Sequence, residues 1–83
     1  MRLIVFIMKK LEKIEEKIKD LNAFRAVYHR EFEIIEKKYF EGEISEEEFE
    51  KHKAGYEKKR GQIRGKIHIL EEKLERLKKA NPD

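Results

Sequence analysis

Apolar and aromatic residues recur along the first half of the chain at Leu11, Ile14, Ile18, Leu21, Tyr28, Phe32, Ile35 and Tyr39, in alternating steps of three and four. Steps of that size return to one side of an α-helix. The series is broken only at Arg25, and no proline or glycine precedes Gly42. One long helix is predicted. A second series runs through Phe49, Tyr56, Ile63, Ile67, Leu70, Leu74 and Leu77, with gaps at Lys53 and Arg60. Both are heptad seams, and each is most aliphatic at the end remote from the centre of the chain. Folding the chain back sets 11–21 beside 63–77. The expected fold is an all-α, antiparallel two-helix coiled-coil hairpin, with helices over about 9–41 and 46–80 and a tail at 81–83.

The reversal is the most closely specified part of the sequence, Glu41-Gly42-Glu43-Ile44-Ser45-Glu46-Glu47-Glu48-Phe49. Gly42 can enter the left-handed region that ends a helix, and Ser45 with Glu48 has the spacing of a capping box. Ile44 and Phe49 stand at hydrophobic-staple spacing, and three glutamates in the first turn complement the positive end of the helix dipole. The turn is expected at 42–45, and Asn81-Pro82 reads as the closing stop.

Residues 39–51, Tyr39-Phe-Glu-Gly-Glu-Ile-Ser-Glu-Glu-Glu-Phe-Glu-Lys51, resemble the SHOCT (short C-terminal) motif through Gly42, Ile44, Ser45, Glu47, Glu48 and Phe49. The resemblance covers a small part of the chain and implies a short helical hairpin that aids oligomerisation or binding. In that family the motif lies at a protein's end; here it is central, with long helices on both sides.

With the reversal near Glu43, Phe6 falls level with Ala80, so Met1 to Val5 overhang and carry Leu3, Ile4 and Val5 without cover from the same chain. Residues 1–8 read as an apolar extension in one of three forms: a helical overhang, a strand pairing with a partner, or a disordered segment preceding a true start at Met8. A lone hairpin buries one stripe per helix and is marginal. Phe24, Val27 and Ile34 widen the apolar side of the first helix, and Val27 and Ile34 repeat at a heptad interval. The expectation is a homodimer forming a four-helix bundle, with a protein partner at the N-terminal segment.

Composition narrows the chemistry. Charged residues make up 47% of the 83 positions and hydrophobic ones 39%, so a sizeable globular core is excluded. Lys and Arg number 21 against 18 Asp and Glu, a net charge of +3. Cysteine is absent, which removes disulfides, thiol chemistry and Cys-based metal sites. Neutral amides are confined to Asn22, Gln62 and Asn81, a bias of heat-adapted proteins with ion-pair networks. The longest apolar run, Leu3 to Met8, falls far short of the about 20 residues a spanning helix needs, and a cytoplasmic protein that does not enter membranes is expected.

No catalytic constellation stands out, so the chain reads as a non-enzyme without cofactor or small-molecule substrate. Ser45, the one hydroxyl-bearing Ser or Thr, is explained by its cap. The residues three before His29, His52 and His68 are Ala26, Phe49 and Gly65, so the Glu-x-x-His pattern of bundle metal sites is missing. His29 with Glu33, Glu48 with His52, and His68 with Glu72 have i,i+4 spacing, read as surface pairs.

Between Lys51 and His68 seven basic residues face one acid, Glu57, while 41–50 holds six glutamates and no base. Gly55, Gly61 and Gly65 interrupt the same stretch, each costing about 1 kcal/mol relative to alanine. Gly61 and Gly65 lie one turn apart and would let another backbone approach. An alternative function therefore presents itself: RNA or DNA binding, with Arg25, Lys59, Arg60, Arg64 and Lys66 neutralising phosphates and Tyr28 and Tyr56 stacking on bases. The first reading, an oligomerisation or protein-interaction scaffold, uses Leu3, Ile4, Val5, Phe24, Val27, Ile34, Gly61 and Gly65.

Overall fold

The computed structural model describes residues 2–80, with side chains from Ile4 to Lys79. Helix α1 spans Arg2–Phe40 and α2 spans Glu46–Ala80, packed against each other as an antiparallel hairpin of 62 × 15 × 12 Å. Among the described residues there is no strand. The helix begins at Arg2, so residues 2–8 continue α1, whereas the seam pattern alone predicted a start near residue 9. Asn81-Pro82 and the Leu3 side chain lie outside the described residues.

The reversal carries the anticipated glycine ending and serine cap. Gly42 has φ of +76°, Glu43 N–H donates to the Lys38 carbonyl at 2.8 Å, and Gly42 N–H donates to the Tyr39 carbonyl at 3.0 Å. These two bonds form the Schellman ending, which satisfies carbonyls the last turn would leave orphaned. Three residues on, Ser45 Oγ accepts the Glu48 N–H at 3.1 Å, and Phe49 N–H donates to the Ser45 carbonyl at 2.9 Å to start α2.

From the turn outward, α1 and α2 are zipped first by rings. Tyr39 stacks on Phe49 at 4.4 Å between centroids; Phe49 also approaches Phe32 at 5.9 Å, and Phe32 stacks on Tyr56 at 4.6 Å with planes 2° apart. Beyond the ladder the seam becomes aliphatic. Ile63 and Ile67, each 8% exposed, are the buried hydrophobic side chains among the described residues. Leu11, Ile14, Ile18, Leu21, Leu70, Leu74 and Leu77 are half-buried. Between ladder and aliphatic segment stand Arg25 and Arg60, exposed although the heptad places them in the seam. Their long stems let the charged heads reach water. Lys53 is likewise exposed.

Candidate interaction surface

The seam uses one side of α1. A second apolar row, Phe24, Val27 and Ile34, lies about a quarter-turn around the same helix and stays 57%, 49% and 53% exposed. Glu31 sits between Val27 and Ile34, and the row continues in the same steps of three and four as Asp20, Lys17, Lys13 and Lys10 in one direction and Lys38 and Glu41 in the other. All these flanking charges are exposed. Among the described residues the ion pairs are His29–Glu33, His68–Glu72, Arg76–Glu72 and Lys79–Glu75, so none of the flanking charges is in an ion pair there.

Two cavities open between the helices on that side. One, of about 330 Å³, is floored by Tyr28, Phe32, Ile35 and Tyr56 and edged by Glu31 and Lys59; the missing side chain of Gly55 helps keep it open. The Lys59 ammonium lies 4.6 Å from the Tyr28 ring centroid. The other, of about 380 Å³, has Leu21, Ile69 and Leu70 framed by Lys17, Asp20 and Lys66. Ile69 is 54% exposed, adding a hydrophobic group from α2.

The opposite side is polar. There Asn22, Arg25, Ala26, His29, Tyr56 and Arg60 line a third cavity of about 370 Å³, which brings Arg25 and Arg60 together without a lining carboxylate. His29 Nδ1 lies 2.9 Å from the Tyr56 hydroxyl, and its Nε2 lies 2.9 Å from Glu33 Oε1. With the proton on Nε2 donated to Glu33, Nδ1 accepts from the phenol. The linkage ties to α1 the hydroxyl of the same Tyr56 whose ring stacks on Phe32. Spacing alone had linked His29 only to Glu33. The cross-helix partner could have been found by matching the two seams about Glu43, which sets 29 level with 57.

The candidate phosphate-binding residues are thus divided. Arg25 and Arg60 share the third cavity, Lys59 borders the first, Lys66 borders the second, and Arg64 is exposed and borders none of these. Tyr56 has one ring face stacked on Phe32, and Tyr28 lies beneath the Lys59 ammonium.

Gly61 and Gly65 are exposed, and a Cβ built on Gly55, Gly61 or Gly65 would meet nothing within 4 Å. Crowding within the chain therefore does not explain any of these three glycines. At the open end Ile4, Val5, Phe6 and Met8 are 43–55% exposed, with the Lys10 ammonium 4.8 Å from the Phe6 ring centroid. No described group of three or more His, Asp or Glu residues is arranged to hold a metal, and no described helix is long and apolar enough to cross a membrane. No family model, curated protein or solved structure matches the chain.

Proposed function

We propose that the protein is a non-enzymatic, cytoplasmic scaffold that associates with itself and with other proteins through the outer surfaces of its hairpin, needing neither cofactor nor small-molecule substrate. One observation carries this reading: the row Phe24, Val27 and Ile34 is half-exposed in a molecule whose described side chains include only two buried hydrophobic ones. Covering three such side chains would contribute several kcal/mol at about 25 cal/mol per Å², a large gain for a marginal two-helix fold. Ile4, Val5 and the Gly61/Gly65 face supply further contacts, and the SHOCT-like stretch 39–51 implies the same class of role.

Light scattering at micromolar concentration tests it. The expected mass is that of a dimer, twice 10.1 kDa, and Val27→Glu combined with Ile34→Glu should give a helical monomer. A wild-type protein that remains monomeric removes the self-association reading.

The acid-free cavity with Arg25 and Arg60 favours a second reading, nucleic-acid binding. If phosphates are neutralised there, affinity for mixed oligonucleotides falls steeply with salt, and Arg60→Glu with Arg64→Glu abolishes it. No binding at low salt ends that reading.

A further inference from the structure

We infer that two copies dock through α1 against α1 in antiparallel orientation, about a twofold axis level with His29, in a register set by Asp20 against Lys38 and Lys17 against Glu41 of the second copy. The inference rests on the proposed self-association and specifies its geometry.

The outer row of α1 reads Asp20, Phe24, Val27, Glu31, Ile34, Lys38, with steps of four, three, four, three, four. That spacing is the same in both directions, so the row can face a reversed copy of itself without a gap. A twofold axis requires such self-complementarity. About position 29, Phe24 faces Ile34 and Asp20 faces Lys38, each twice. Further out, Lys17 faces Glu41. Lys13, the next member of the row, comes level with the acidic turn, where Glu43, Glu46, Glu47 and Glu48 follow within a few residues, and Lys10 lies just past it. Glu31 falls opposite Val27. In its own chain it lines the same groove as Lys59 and Lys51.

Neighbouring registers fail on the same residues. Moving the axis half a heptad towards the N-terminus sets Asp20 against Glu31 and Lys13 against Lys38. Moving it the other way sets Phe24 against Glu41 and Val27 against Lys38. A parallel, in-register pair would set Asp20 on Asp20 and Lys38 on Lys38, like charges along the whole rim. The quarter-turn between seam and outer row brings both α2 helices to the same side of the α1 pair, which gives the corner arrangement of a four-helix bundle. Residues before Lys10 then project past the partner's turn, so the N-terminal apolar segment stays free for another occupant.

The chain has no cysteine, so introduced thiols report position without background. Within one helix, residues 20 and 38 are about 27 Å apart, at about 1.5 Å per residue, and a disulfide needs Cα atoms within about 7 Å. Under mild oxidation, Asp20→Cys with Lys38→Cys is expected to give a covalent dimer rapidly, and Asp20→Cys alone is not. Rapid bridging by Asp20→Cys alone would establish a parallel pair and overturn the inference. A second readout avoids dependence on thiols. Asp20→Lys and Lys38→Asp should each raise the dimer dissociation constant at least about tenfold at low salt, and their combination in one chain should restore it to within about threefold. Dimers indifferent to these exchanges, or unbridged in the double-cysteine protein, overturn the register while leaving self-association intact; a wild-type monomer overturns both.

Discussion

The half of the hairpin nearest the turn and the half nearest the open end are held by different physics. Near the turn, the chain closes over a few residues, two capping motifs satisfy the helix ends, and Tyr39, Phe49, Phe32 and Tyr56 stack in directional pairs. Each such pair contributes about 0.5–1.5 kcal/mol beyond its buried area. Towards the open end no turn brings the helices together, and cohesion rests on aliphatic burial that peaks at Ile63 and Ile67. The contrast shows how a rod with almost no interior holds its two helices together by different means along its length. Geometry secures the end where closure is cheap, and the most complete burial, at Ile63 and Ile67, sits at the middle of α2 with half-buried leucines beyond it.

The sharpest way to break the contrast is Ile67→Ala. Truncating a buried aliphatic residue costs about 2–4 kcal/mol, enough to unzip the open half, and thermal circular dichroism should show an early, partial loss of helix. Full retention of the wild-type transition would show that Ile67 contributes little.

Phe32→Ala removes the ring between Phe49 and Tyr56 and should cost about 2 kcal/mol, less than a buried site because Phe32 is half-wet. Hydrogen exchange should then rise first around 28–35 and 49–56, leaving 63–70 protected. Gly42→Ala forces a Cβ into the left-handed region at φ of +76° and should cost about 1 kcal/mol, read as a lower urea midpoint with unchanged slope.

The smallest effect has the opposite sign. Gly65→Ala meets open space within the chain and should raise stability by about 0.5–1 kcal/mol. If the same change weakens association at unchanged helicity, a partner's backbone lies against that face.

Much of this fold was legible because its decisive residues act locally. Gly42, Ser45 and Glu48 specify a helix ending and a helix start within seven positions, and the turn bonds follow from them. The step pattern then fixed which residues meet, down to the shared cavity of Arg25 and Arg60. The state of residues 2–8 was not legible: a short apolar run with no cap or stop fits a strand as well as a helix, and continuity with α1 decided it. Ring stacking between Phe32 and Tyr56 depends on side-chain rotation that spacing does not encode. Net charge along the basic stretch gave no hint of its division among three cavities, whereas offset from the seam accounts for it: Lys59 and Lys66 stand one before a seam position and Arg60 stands on one.

The slender outline, with a backbone that extends 62 Å along the hairpin and 15 Å across it, makes the molecule a ruler. Within one copy, whatever grips the N-terminal end is held a hairpin's length from whatever grips that copy's own glutamate-rich tip. A tilt of a few degrees set at one extremity becomes a displacement of several ångströms at the other.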